Sequence, residues 1–318
     1  PSPSTSRKAM SAPRRQEAIY CDYSPDGQYL AACGDRGVTM WNRKTWTLQG
    51  NLPLKGVLSV RFESDRGQLL VGHDGGLARY RFDSRDSKLE FAAVQSIELP
   101  NSYFPHYLSQ SEDGRIVAAG LLKPPDLTSA AKLMVLDAGD VTPRLLPGYD
   151  GLRFTSVSPD GKWVATGNWN AQGACVWDVA RGQPEHRFDT VGGCVVAFSP
   201  DGKRLVTADV ESLCFWEVGT WELRRRQPRA SLVGALAFAP DGQILASTGN
   251  KASVELIDPE TGTSLALLST NAEPTYVSWM RFSPDGSQLA VCLLSEGIRV
   301  WDLRLLRNRL RSIDLDWK

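Results

Sequence analysis

The stretch Phe198-Ser199-Pro200-Asp201-Gly202-Lys203-Arg204-Leu205-Val206-Thr207 decides the fold. Proline presets φ at the second position of a type I turn and aspartate suits the third. Glycine then supplies the left-handed conformation that lets the chain fold back on itself. An aromatic residue enters the turn and a β-rich run leaves it, so the stretch reads as two short antiparallel strands, a and b, joined by a hairpin. The tetrapeptide stands intact again at Ser24-Pro25-Asp26-Gly27, Ser158-Pro159-Asp160-Gly161 and Ser283-Pro284-Asp285-Gly286. Variants occur at Ser111-Glu112-Asp113-Gly114 and Ala239-Pro240-Asp241-Gly242, with a looser one at Ser64-Asp65-Arg66-Gly67. Successive starts fall 40, 47, 47, 41, 40 and 44 residues apart, which makes seven units.

Working outward, Tyr23, Phe62, Val157, Phe238 and Phe282 precede five of the other six turns, and runs such as Tyr29-Leu30-Ala31-Ala32 and Gln288-Leu289-Ala290-Val291 follow them. A third run, c, usually ends in Trp plus an acidic or amide residue. Examples are Val38-Thr39-Met40-Trp41-Asn42, Cys175-Val176-Trp177-Asp178, Leu213-Cys214-Phe215-Trp216-Glu217 and Ile298-Arg299-Val300-Trp301-Asp302, while Tyr80, Leu136 or Ile257 replace the Trp elsewhere. A more polar run, d, comes last, as in Glu222-Leu223-Arg224-Arg225, and polarity suits an exposed edge. Four strands at a period of roughly 40–45 residues describe propeller blades. The predicted fold is all-β, a seven-bladed β-propeller of four-stranded antiparallel blades with a short C-terminal helix. Trp41, Trp177, Trp216 and Trp301 are expected between neighbouring blades.

On these motifs the chain resembles the WD-repeat family over roughly residues 18–302. Its closing stretch, Val300 to Leu306 and Leu315-Asp316-Trp317, resembles the ends of WD-repeat modules in large multidomain bacterial proteins, some of which carry a serine/threonine kinase domain upstream. The family's Gly-His dipeptide is missing from every repeat. Its aspartate six residues before the Trp position survives only as Asp35 and Asp74. The family's buried Asp-His-Ser/Thr-Trp hydrogen-bond network is therefore incomplete in every blade, and apolar packing is expected in its place.

With 318 residues, 42% of them hydrophobic, the chain can bury one large core. Thirty-six basic and thirty-six acidic side chains leave no net field to draw in nucleic acid or anionic lipid. No apolar run approaches the ~18–20 residues of a membrane span. The six cysteines (Cys21, Cys33, Cys175, Cys194, Cys214 and Cys292) all fall in predicted strands without a Cys-x-x-Cys pair, which reads as buried free thiols and fits a reducing compartment such as the cytoplasm. Cys21 should pair near Ala31, away from Cys33.

Residues 1–16 read as a linker, basic and rich in proline and serine, and starting at Pro1 the chain reads as a piece of something longer. The propeller is expected over 17–302. The C-terminal amphipathic segment 303–318 should be helical near 303–313, with Leu303, Leu306, Leu310 and Ile313 on one face. The last unit lacks an outer strand of its own, so residues 5–13 either lend one or leave that blade poorly closed.

For function, no Gly-x-Ser-x-Gly, His-Glu-x-x-His, kinase motif set or spaced histidine cluster is present. No catalytic residue, metal site or cofactor is expected. The leading reading is a non-enzymatic scaffold, a monomeric module presenting loops to a protein or peptide partner or to its own parent chain. The alternative is a ligand-sensing propeller attached to a signalling domain such as a serine/threonine kinase, and behind it a propeller hydrolase. In WD-repeat proteins the d–a and b–c loops share one face. That places Tyr103, Phe104, Tyr149, Trp169 and Tyr276 there as candidate partner-binding residues, together with the insertion Leu121–Lys132, stiffened by Pro124-Pro125. The two 47-residue steps point to extra surface structure near the third and fourth blades. Arg224-Arg225-Arg226 on an outer strand is the other candidate surface.

Overall fold

A computed structural model describes residues 19–312, apart from 35, 65–66, 86–87, 101–102, 123–131, 150, 170, 172, 230, 232–233, 250–252, 270–275 and 295. The strand proposed for residues 5–13, the Pro124-Pro125 loop, Asp35, Ile313 and the terminal Leu315–Trp317 lie outside the described residues.

Each unit forms one antiparallel sheet in chain order. The first blade comprises β1 (Tyr20–Tyr23), β2 (Tyr29–Gly34), β3 (Gly37–Asn42) and β4 (Leu48–Leu52). The second holds β5 (Ser59–Phe62), β6 (Gln68–His73), β7 (Gly76–Arg85) and β8 (Lys88–Ile97). The third holds β9 (Phe104–Gln110), β10 (Ile116–Leu122), β11 (Lys132–Asp137) and β12 (Arg144–Pro147). The fourth has β13 (Leu152–Val157), β14 (Trp163–Asn168), β15 (Ala174–Asp178) and β16 (Gln183–Phe188), and the fifth β17 (Val195–Phe198), β18 (Arg204–Ala208), β19 (Ser212–Glu217) and β20 (Leu223–Pro228). The sixth has β21 (Leu236–Phe238), β22 (Leu245–Thr248), β23 (Val254–Ile257) and β24 (Ser264–Leu268). Three strands make the last blade among the described residues: β25 (Val277–Phe282), β26 (Gln288–Leu293) and β27 (Gly297–Asp302). The a strands β1, β5, β9, β13, β17, β21 and β25 touch in cyclic order, β25 back to β1, so the ring closes.

The hairpin turns are built as the tetrapeptide requires. Gly202 has φ 69°, and the matching Gly27, Gly114, Gly161, Gly242 and Gly286 are also left-handed. In the first turn Ser24 Oγ donates to Asp26 Oδ1 (2.6 Å) and accepts from Tyr29 N (2.9 Å), while Asp26 Oδ1 accepts from Gln28 N (2.9 Å). The looser second unit sits one residue earlier than its spacing suggests. Glu63 N donates to Gln68 O as Ser24 N does to Tyr29 O, so Glu63 occupies the serine position. Its carboxylate pairs at 2.9 Å with Arg79, one of the largest fully buried side chains.

The c–d turns hold a second left-handed position. Gly182 and Gly262 fill it in two blades, and Trp46 (φ 56°) and Trp221 (φ 57°) in two others, each N–H donating to the carbonyl four residues back. Trp221 tolerates this because its ring is buried against Trp163 at 5.5 Å and Phe188 at 6.3 Å in the preceding blade.

Trp177 and Trp301 are buried, whereas Trp41 and Trp216 are half-buried. The expectation that apolar packing replaces the hydrogen-bond network is corrected in two blades. Trp177 Nε1 donates to Thr166 Oγ1 and Trp216 Nε1 to Thr207 Oγ1, each at 3.0 Å. In the fourth blade the Tyr149 hydroxyl reaches Thr166 O at 2.9 Å and its Oγ1 at 3.1 Å, taking up a polar role without any histidine.

The first long repeat step is also corrected. Its extra residues extend the β7–β8 hairpin, which leaves the blade at the turn end, opposite the loop face. Phe82 on this hairpin meets Tyr29 and Phe62 edge-on at 6.0 and 5.9 Å, and Gly50 on β4 lets it approach, because a Cβ there would stand 2.9 Å from Leu89 O.

At the seam between first and last blades, Arg43 Nη2 reaches Asp285 at 2.7 Å and Ser287 Oγ at 2.6 Å, and its Nε reaches Gln288 at 3.0 Å. Arg304 of α1 (Leu303–Arg311) adds a contact to Asp285 at 3.2 Å. Asp302 caps that helix by accepting from Leu305 N at 2.9 Å, while Leu303 and Leu306 dock on the last two blades. Among the described residues no helix is long and apolar enough to cross a membrane. All six cysteines are buried and free. Cys21 faces Ala32, one position on from the expected Ala31, and Cys33 faces Tyr20, which sends the two thiols to opposite faces of the hairpin.

Candidate interaction face

The starts of the a strands and the b–c connections share one end of the ring. The five candidate aromatics differ sharply there. Trp169 is 41% exposed and Tyr276 56% exposed, Phe104 and Tyr149 are half-buried, and Tyr103 is buried at 6%. Tyr149 spends its hydroxyl on Thr166, and Tyr103 packs among Leu70, Leu77 and Ile97. Of the five, only Trp169 and Tyr276, on the fourth and last blades, stand exposed.

Sequence reading missed the array behind Trp169. The Arg153 guanidinium lies 4.8 Å over the Trp169 ring and 5.9 Å over that of Tyr107. Phe154 meets Trp169 at 6.0 Å and Tyr107 at 4.8 Å, Tyr107 meets Trp279 at 5.3 Å, and Trp279 stacks on Tyr20 at 4.2 Å. These residues come from four blades, so the rings cross the mouth of the central channel and stop it like a plug. Tyr107 reaches that place by adopting φ 52°, a conformation that costs a non-glycine residue roughly 1–2 kcal/mol. A break in the β9–β10 register accompanies it. No local turn motif announces this position, so only the packed ring reveals it.

His106 sits beside the plug, 2% exposed, its ring 4.2 Å from that of Tyr107. Arg153 Nη2 approaches His106 Nε2 at 3.4 Å. A guanidinium can only donate, so Nε2 accepts and the imidazole proton resides on Nδ1. Burial, and then the Arg153 charge, hold the His106 pKa well below the usual histidine value and keep the ring neutral. Burial likewise pushes the Tyr107 phenol up to about 12. Among the described residues no three of His, Cys, Asp and Glu come together as a metal site would require. The face therefore offers aromatic surface backed by a cation.

On the alternative surface two of the three arginines are engaged within the protein, and Arg226 is exposed. Arg225 lies 4.1 Å over Phe215 and donates to Glu260 O of the next blade at 2.5 Å, while Arg224 pairs with Glu222 at 3.2 Å.

Two family models match parts of the chain. The anaphase-promoting complex subunit 4 WD40 domain matches residues 215–283, and the WD domain, G-beta repeat, matches residues 16–42. A WD repeat-containing protein WDS homolog of Arabidopsis thaliana is 29% identical over 47% of this chain and 29% of its own length. WD repeat-containing protein SL1-17 of Schistosoma mansoni is 29% identical over 49% of this chain and 53% of its own length. Pre-mRNA-processing factor 19 of Oryza sativa subsp. japonica is 39% identical over 23% of this chain and 13% of its own. The chain thus spans about half or less of the curated relatives it matches, and none of them bears on the resemblance to bacterial multidomain proteins. Among solved structures, a chain of a mitotic checkpoint complex superposes with a TM-score of 0.72 at 19% identity, covering 95% of this chain and 94% of that one. Repeat matches and blade geometry meet in one description: the chain is a seven-bladed β-propeller with WD40-repeat similarity.

Proposed function

We propose that the propeller is a non-enzymatic protein-interaction scaffold. In this reading it binds a protein or peptide partner, or another part of a longer parent chain, through the loop face around Trp169 and Tyr276. The observation that carries this is the Trp169 indole, 41% exposed yet held by Arg153 at 4.8 Å and Phe154 at 6.0 Å. An exposed aromatic already fixed by its neighbours loses little conformational freedom on binding, which is what makes a good anchor. Tyr276 supplies a second anchor and Phe104 a half-buried rim contact, while Tyr103 and Tyr149 shape the face from beneath. The fold neighbour's presence in a mitotic checkpoint complex agrees with a scaffold role for this architecture.

The test replaces Trp169 and Tyr276 by alanine together, requires unchanged thermal stability, and compares partners captured by the two immobilised proteins. Loss of a specific partner with the double variant is expected. A stable double variant that keeps every wild-type partner refutes this face as the interface.

A further inference from the structure

The a strands place one residue from every blade at the same depth in the channel, the position just before the last residue of each strand. The first, second and last blades, which are neighbours around the ring, put Asp22, Arg61 and Arg281 there. The other four put Ser109, Ser156, Ala197 and Ala237 at that level. All seven line one cavity of about 570 Å³. Its rim carries Pro25, Pro159, Pro200, Pro240 and Pro284 of the hairpin turns, and its inner lining includes Leu108 and Trp279, the latter a member of the aromatic plug. The cavity thus runs inward from the hairpin turns toward the aromatic plug.

At this depth of the cavity charge does not balance. Arg281 Nε stands 3.0 Å and Arg61 Nη1 3.5 Å from the same Asp22 Oδ1, while Asp22 Oδ2 accepts from Phe62 N at 3.0 Å. Two guanidinium groups therefore share one carboxylate oxygen. The nearby Glu63 is committed to Arg79 at 2.9 Å and Glu112 is exposed at the rim, so neither neutralises the excess. Arg61 is only 9% exposed along its side chain, and its buried Nε has no partner. Arg281 is 38% exposed into the cavity. An uncompensated cation in a narrow protein channel is costly, and a planar guanidinium satisfies that need best with a two-oxygen anion. The four small side chains across the channel leave room for one.

We propose that this level of the channel is a binding site for a small oxyanion, the carboxylate or phosphate of a small molecule, entering from the turn face and held by Arg281 and Arg61. Asp22 is a competitor as well as a tether: it orients both arginines but withholds part of their charge. That dual role separates a binding site from a purely structural ion triad. In a structural triad, removing Asp22 only loosens the blades. In a binding site, Asp22→Asn frees both cations and tightens anion binding, by at least about tenfold for one charge removed at these distances.

The experiment titrates the protein with inorganic phosphate, and separately with succinate, at constant ionic strength, following the melting temperature and the ³¹P linewidth of the phosphate. A saturable response to at least one anion is expected, and comparing the two probes distinguishes phosphate from carboxylate recognition. Arg281→Met and Arg61→Met should each weaken binding at least tenfold, and Asp22→Asn should strengthen it. Absence of a saturable wild-type response to both anions overturns the proposal, as does binding that survives both arginine replacements. Should Asp22→Asn fail to fold, Arg281→Lys decides: a retained charge without the planar fork should lower affinity while leaving stability near wild type, and unchanged affinity overturns the assignment.

Discussion

Replacing Thr166 by valine tests whether the fourth blade is held by a hydrogen-bond node or by packing alone. The substitution nearly conserves volume at a fully buried position, so it opens no cavity. It does strip the acceptor from Trp177 Nε1, 3.0 Å away on a side chain that is 2% exposed, and the donor from Cys175 O at 3.1 Å. Leaving a buried donor unsatisfied costs about 1–3 kcal/mol. Trp177→Phe removes the donor together with part of the ring area. Made in a chain that already carries Thr166→Val, the same change relieves the orphaned N–H and should cost less than in wild type. A coupling of about 1–2 kcal/mol between the two positions is therefore expected from a double-mutant cycle. The assay is urea unfolding followed by tryptophan fluorescence and far-UV circular dichroism, with coincident transitions required before free energies are compared. Single effects that add to within about 0.5 kcal/mol would refute the node and restore apolar packing as the explanation. In the fifth blade Trp216 is only half-buried, so Thr207→Val should cost less than Thr166→Val.

Gly202→Ala should destabilise by roughly 1 kcal/mol in urea melts, because φ is 69° while the added Cβ would meet nothing nearer than Pro159 Cδ at 3.8 Å; no loss would contradict the left-handed turn. Trp221→Gly relieves a left-handed φ worth about 1–2 kcal/mol but forfeits a buried ring worth about 3–5, so a net loss is expected, and a gain in stability would overturn that ranking. The turn carboxylates should make the fold acid-sensitive. The Arg115 N–H and then the Ser111 hydroxyl hold Asp113 at about 2, and at Asp285 burial pushes the pKa up but is outweighed by Arg43, Ser283 and Ser287. A depressed folded-state pKa gives stability that is present above the unfolded value near ~3.9 and lost as pH falls through the folded one. Melting temperature should accordingly fall below about pH 4, and Asp285→Asn should shallow that decline; an identical acid slope would exclude the seam as its source. Finally, burial raises the Cys33 and Cys194 thiols strongly and moves Cys175 to about 11, so alkylation at neutral pH should be slow until the protein unfolds, and rapid labelling of the folded chain would refute their burial.

The blade count, the strand order and the left-handed glycines were legible in the sequence because a hairpin turn is a local object: proline, aspartate and glycine dictate its dihedrals whatever surrounds it. Strand c was legible for a related reason, since each Trp marks the end of an alternating run. Neighbouring blades decided the rest. The Glu63 frame shift was hidden because the residues that imitate a tetrapeptide at Ser64 lie one place beyond the hydrogen bond that defines the turn. Burial of Tyr103 and engagement of Tyr149 were hidden because a loop aromatic looks the same in sequence whether it faces water or reaches a threonine seventeen positions on. Tyr107, Arg153 and Trp279 lie far apart in the chain and meet only because the ring closes β25 onto β1 and brings the a strands around one axis. The same closure gathers Asp22, Arg61 and Arg281 at one depth. Periodic local chemistry can specify each blade from within itself, but the residues that face one another across a closed ring are set by its circumference, which no single repeat encodes.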